Sequence, residues 1–176
     1  MTSRVSTQIL IFNDNFMIAL GIDPGSRRIG YGVVRCDGPV IVFVAAGILE
    51  IKTTDDISAL EETKKGIDAL IKKHKPDVMA IEKLFFAKNT KTALAVAQAR
   101  GVILLATKER GIRIKEYTPN EVKSGVAGYG FADKKAVLKM VRLILNKKDL
   151  AVIDDASDAL ALAILSTGDR SLDSTR

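Results

Sequence analysis

The sequence predicts an α/β fold built on a five-stranded mixed sheet in the order 3-2-1-4-5, with helices on both faces. Three observations carry that expectation. Three Val- and Ile-rich runs follow one another across short turns between residues 18 and 49. Helical and strand patterns then alternate from Thr53 to Tyr117. A last helix, apolar at every position from Ala159 to Leu165, has to be buried on all sides.

The first three strands are Ile18–Asp23, Ile29–Cys36 and Val40–Leu49, separated by Pro24-Gly25 and Asp37-Gly38-Pro39. Turns this short imply antiparallel pairing. Thr53 to Asp56 reads as a helix start, and Ile57, Leu60, Ile67 and Leu70-Ile71 recur at helical spacing to about His74. Asp68 and Lys72 are placed as an i,i+4 pair. Pro76 stops the helix, and Asp77–Ile81 is a short buried strand ending at Glu82. A right-handed crossover lays this strand parallel to the first and beside it. Residues 83–88 form a loop with two aromatics and two lysines; Asn89 or Thr90 then caps an Ala- and Leu-rich helix that runs to Arg110 and ends at Gly111. Ile112–Tyr117 is the fifth strand, and Thr118-Pro119 starts a short helix through Val122. The three glycines of Gly125–Gly130 predict a mobile loop. Asp133 caps a basic helix from Lys134 to Asn146, and the final helix runs from Asp154 to Ser166. This βββαβαβ order followed by helices is the layout of a ribonuclease-H-like fold.

The 176 residues suit one domain, placed at residues 17–166, with 1–16 as an extension outside it and 167–176 as a disordered tail. No apolar run is long enough to span a membrane, and residues 1–16 lack a cleavage-site pattern. Cys36 is the only cysteine, which excludes an internal disulfide and suits the cytoplasm. His74 is the only histidine, so multi-histidine zinc sites are excluded; at a helix end among lysines it reads as a cation. The net charge is +6, and it is unevenly spread: Lys108 to Lys148 hold eleven Lys or Arg against four acids. Basic charge gathered in one region is the footprint of a phosphate-backbone binder.

Four acids stand out. Asp23 and Glu82 each follow a buried strand, and parallel pairing brings both to one edge of the sheet, where ligands gather in open α/β sheets. Asp155 and Asp158 are three apart on the last helix, and their stripe continues into Leu162 and Leu165, so they lie on a face that is buried one turn later. Acids in a first turn also complement the helix dipole, which accounts for Asp154 and Asp155 but less well for Asp158. Four carboxylates at one edge repel one another unless their pKa values rise or cations intervene. An oxygen-only donor set suits Mg²⁺, with Mn²⁺ as a substitute, rather than zinc. Two such ions activate a water and stabilise the leaving oxygen of a phosphodiester. The expected reaction is in-line attack on a backbone phosphate by metal-activated water. Phe85 and Phe86, bracketed by Lys83 and Lys88, either cap the core or stack on unpaired bases. Lys83 directly follows Glu82 and is placed to interact with it.

Four motifs in order give the chain a family resemblance. They are Gly21-Ile22-Asp23-Pro24-Gly25 with Gly30-Tyr31-Gly32, Ile81-Glu82 through Ala87-Lys88-Asn89, Gln98-Ala99-Arg100-Gly101, and Asp155-Ala156-Ser157-Asp158-Ala159-Leu160-Ala161. From Met17 to Leu165 the chain resembles the RuvC-type Holliday-junction resolvases. The resemblance implies a Mg²⁺-dependent homodimer that nicks two opposed strands of a four-way DNA junction, with the RuvAB branch-migration machinery as a partner. It implies catalytic and metal-binding acids at Asp23, Glu82, Asp155 and Asp158, although a one-residue shift would exchange Asp155 for Asp154. It implies an aromatic at Phe85, with Phe86 beside it, that perturbs stacking at the crossover. DNA-contacting lysines fall on Lys123 and on Lys134 or Lys135, and dimer contacts on the helix from Asn89. The readings set against it are a ribonuclease-H-like enzyme of RNA–DNA hybrids, a non-catalytic DNA-binding relative and an ATP-binding protein of the actin and sugar-kinase type. That last class needs two domains and two phosphate turns, and only one such turn is present.

Overall fold

The computed structural model describes residues 16–83 and 90–168. Its five strands are β1 (Met17–Asp23), β2 (Arg28–Asp37), β3 (Val40–Glu50), β4 (Val78–Glu82) and β5 (Arg113–Tyr117), in the order β3-β2-β1-β4-β5. β1 is central because it is covered on both faces. Leu20, Gly21 and Ile22 are all buried, which is why its sequence reads as a continuous apolar run rather than an alternation. It pairs antiparallel with β2 and parallel with β4, with Ile22 opposite Ile81. Asp77 locks that parallel register: its backbone N–H donates to Ile18 O at 2.9 Å, and its Oδ2 accepts from Ile18 N at 2.7 Å. The next residues along, Asp23 and Glu82, therefore leave the sheet at the same edge.

One face carries α1 (Asp56–His74) and α2 (Thr90–Glu109), packed on Leu20, Ile22, Val33, Met79 and Ile81. The other carries α3 (Pro119–Ala127), α4 (Lys134–Ile144) and α5 (Asp154–Gly168), packed on Ala19, Val34, Val78 and Ala80. Helix starts follow local signals. Asp55 caps α1 by accepting from Ser58 N at 2.6 Å, Thr118 and Glu121 form a capping box on α3, and Asp133 caps α4 by accepting from Ala136 N at 2.7 Å.

α5 lies directly on the sheet because glycines floor it. Gly21 and Gly32 are cross-strand partners in β1 and β2. A Cβ on Gly32 would stand 2.6 Å from Leu160 N, and one on Gly21 would stand 2.7 Å from Ala163 N. Alanines at 156, 159, 161 and 163 complete the close approach from the helix side.

Four expectations need correction. The 125–130 stretch is not one loop: Gly125 lies inside α3, where the Leu165 side chain fills the space that a Cβ would need, and the helix ends at Gly128 in a left-handed turn (φ +86). Asp68 pairs with Lys64 and Arg110, both at 3.0 Å, rather than with Lys72. His74 is not a ready cation, since burial and then Lys73 push its pKa below the usual 6.5. α4 stops at Ile144, before the expected Asn146, and α5 reaches Gly168 rather than Ser166. The expected extension at residues 1–16, apart from Phe16, and residues 169–176 of the expected tail lie outside the described residues.

Candidate active site

Asp23 and Glu82 sit at the ends of adjacent parallel strands, and the backbone at that end is firmly held. Lys83 N donates to Tyr117 O at 2.8 Å, which carries the β4–β5 ladder past Glu82. Arg100 of α2 donates through Nε to Glu82 O at 3.1 Å, and its guanidinium also pairs with Glu116 of β5. Asp155 and Asp158 arrive from the far face on the first turns of α5. Gly30, opposite Asp23 in the β1–β2 ladder, leaves room for the Asp155 backbone, which a Cβ at that position would strike.

Asp23, Glu82 and Asp158 line a cavity of about 410 Å³ together with Lys123 and Lys134, over a floor that includes Val122, Val137 and Leu162. The Asp23 pKa is raised from 3.8 to about 7. Burial is the largest cause, followed by the charges of Asp158, Glu82 and Asp155, with Lys134 opposing them. Glu82 is raised for the same reasons, by burial and then Asp158, against Lys134 and Lys123. The charges of Glu82, Asp155 and Asp158 thus all reach Asp23 at a single end of the sheet. Asp155, and not Asp154, acts on Asp23; the exposed Asp154 acts on Lys134 instead.

Protein cations already attend two of the acids. Lys134 Nζ lies 3.0 Å from Asp158 Oδ2, a contact that raises the lysine's own pKa. Arg28 Nε lies 3.5 Å from Asp155 Oδ2. Among the described residues no group of three or more His, Cys, Asp or Glu side chains is placed to hold a metal ion as it stands. The donor set still fits a hard divalent cation. It offers carboxylate oxygens without Cys or His, and its most buried member, with a pKa of about 7, holds its proton up to the neutral range unless positive charge replaces it.

Lys123 and Lys134 reach the cavity, whereas Lys135 is exposed and is not part of its lining. Lys83 does not act on Glu82, which feels Lys134 and Lys123; its charge reaches Glu121. Phe85, Phe86 and Lys88 lie outside the described residues. Sequence reasoning missed Arg28, whose partner is on an element far along the chain. It passed over Arg100 as a supporting residue, although the Gln98–Gly101 motif pointed to that part of α2. Among the described residues no helix is long and apolar enough to cross a membrane.

Residues 19–166 match the family model described as crossover junction endodeoxyribonuclease RuvC. The chain is 48% identical over 149 residues to the RuvC crossover junction endodeoxyribonuclease of Chloroflexus aggregans, covering 84% of this chain and 91% of that one. It is 45% identical over 151 residues to the counterpart in Natranaerobius thermophilus, covering 84% and 92%. Among solved structures, Thermus thermophilus RuvC in complex with a Holliday junction substrate superposes with a TM-score of 0.80 at 29% identity, covering 86% of this chain and 93% of that one.

Proposed function

The chain belongs to the RuvC family of crossover junction endodeoxyribonucleases, and from that premise we propose how its residues resolve a Holliday junction. It is a phosphodiester hydrolase that cuts four-way DNA junctions, and it depends on a metal ion. The observation that carries the assignment of the site is Asp23: a half-buried strand-end carboxyl under the charges of three other acids, with its pKa about 7.

Asp23, Glu82, Asp155 and Asp158 are the proposed ligands, and Mg²⁺ is the proposed ion, with two per site and Mn²⁺ as a substitute. Bound there, the pair supplies a Lewis acid on the scissile phosphate, water activation and charge stabilisation at the leaving oxygen. The protein's own part is positioning and electrostatics. β1 and β4 hold Asp23 and Glu82 in register, and the glycine floor sets the height of α5 above them. A bound cation would compete with Lys134 for Asp158 and with Arg28 for Asp155, each acid being engaged through Oδ2. The displaced lysine and arginine are then free to take backbone phosphate oxygens, the exchange that a polyanionic substrate favours. Lys123, which also lines the cavity, offers a second phosphate contact. Apolar Val122, Val137 and Leu162 contribute to the lining and lower the local dielectric around these interactions.

Symmetric paired nicks need two such sites. The proposed assembly is a homodimer whose sites reach two opposed strands only when the DNA branches. The RuvAB branch-migration machinery is the proposed protein partner, and the cytoplasm is the proposed compartment.

The test compares a synthetic four-way junction, a linear duplex and an RNA–DNA hybrid, each in Mg²⁺ and in chelator. Paired nicks confined to the junction and lost in chelator are expected. Cleavage of the hybrid in preference to the junction would replace the substrate. An Asp23→Asn protein that cut at the parental rate would remove the proposed site.

A further inference from the structure

We propose that Tyr129 and Phe131, on the turn joining α3 to α4, are a base-stacking contact that seats an unpaired DNA base beside the catalytic cavity. The proposal rests on the chain acting on branched DNA, and it concerns a different segment from the Phe85-Phe86 stretch.

Phe131 is 97% exposed, the most exposed large hydrophobic side chain among the described residues, and Tyr129 is 55% exposed. Single exposed apolar side chains are common on protein surfaces, so exposure alone decides nothing. The way the turn is held does. Gly128 closes α3 in a left-handed conformation, its N–H donating to Ser124 O at 3.0 Å. Ala132 N donates to Tyr129 O at 3.3 Å, and Ala132 itself is only 1% exposed. Asp133 then caps α4. Phe131 is thus pinned between a helix stop, a buried anchor and a helix start. Of the neighbours Phe131 and Ala132, the small side chain is buried and the large one faces water. That is the reverse of what burial would select, and the turn holds the ring out.

The ring's surroundings say what it meets. Both helices that the turn connects line the cavity, α3 through Val122 and Lys123 and α4 through Lys134 and Val137. The turn also lies within the basic stretch of residues 108–148. Rings on a turn whose two helices carry Lys123 and Lys134 into a phosphate-cleaving site match a nucleic-acid strand: the cations take phosphates, and an aromatic face takes any base that has left its stack. A four-way junction presents unpaired or easily unstacked bases at its crossover, within reach of the phosphates to be cut. The Tyr129 hydroxyl adds a polar tip that can hydrogen-bond a base edge or phosphate. Stacking here fixes which phosphate lies over Asp23 and Glu82, so these residues position the strand rather than take part in the chemistry.

The test uses the full chain and junctions carrying 2-aminopurine next to the nick position. In chelator, binding of the parent protein is expected to change the probe's fluorescence. Phe131→Ala is expected to abolish most of that change and to weaken junction binding about tenfold, within the range that one base–aromatic stack supplies. Tyr129→Ala is expected to do the same to a smaller degree. Phe131→Trp should restore both signals, Phe131→Leu neither, and all four should melt with the parent. Parental affinity and fluorescence in Phe131→Ala and Tyr129→Ala would overturn the proposal, as would full rescue by leucine. The fluorescence arm needs no cleavage, so a protein that binds junctions without cutting them would count against the endonuclease reading alone.

Discussion

A carboxyl that titrates near pH 7 costs stability whenever it is charged in the fold, and Asp23 is in that position. Its folded pKa of about 7 lies above the unfolded value of 3.8. Below about pH 4 both states hold the proton and the group is neutral to stability. Between the two values the folded state keeps a proton that the unfolded state has released, so this contribution weakens as pH rises, and the penalty is complete above pH 7. Asp23→Asn removes the group. Without metal it is expected to be more stable than the parent at pH 8, by on the order of 2–4 kcal/mol, and near parity at pH 4. Chemical denaturation at the two pH values measures this, and an equal gain at both would contradict the burial argument. The same substitution is expected to lower junction cleavage at least about a hundredfold. Because the ion competes with that proton, Mg²⁺ should raise the melting temperature more at pH 8 than at pH 6. A shift independent of pH would mean that Asp23 is not a ligand.

At the scale of the element, the site depends on how closely α5 approaches β1 and β2. Asp155 and Asp158 reach the strand-end acids only because Gly21 and Gly32 admit the helix backbone. Gly32→Ala is expected to cost about 1–3 kcal/mol by overpacking. It should also lower cleavage far more than that loss of stability explains, since it lifts two of the four carboxyls together. Parental cleavage by a folded Gly32→Ala protein would show that the height of α5 does not matter. Arg100 does comparable work on the other side. Arg100→Lys keeps the charge but loses the fork that joins Glu82 O to Glu116, and a loss of about 1–2 kcal/mol is expected in denaturation.

For the whole molecule the uneven charge matters more than its sum. A net +6 arises from a basic stretch against a remainder that is close to neutral. Junction affinity should therefore fall steeply with salt, and Lys134→Gln should reduce the slope of log affinity against log salt by about 1. Lys135→Gln, which changes a side chain away from the cavity, tests whether the effect belongs to the site or to the basic surface at large. An unchanged slope in the Lys134 variant would exclude its phosphate contact.

Local chemistry determined much of this protein before any contact was known. Strands appear where Val and Ile run unbroken, helices start where Asp55, Thr118 and Asp133 offer caps, and acids end two strands that parallel pairing must bring together. The i,i+3 spacing of Asp155 and Asp158 placed them on one helical face without reference to the rest of the chain. The tertiary structure alone decided the partners. Arg28 takes Asp155, Lys134 rather than Lys135 enters the cavity, and Gly125 serves inside a helix because Leu165 needs its space. Periodicity and capping are properties of neighbouring residues, and a sequence displays them. The pKa of Asp23 and the seating of α5 depend on which surfaces meet across distances in the chain that no local pattern encodes.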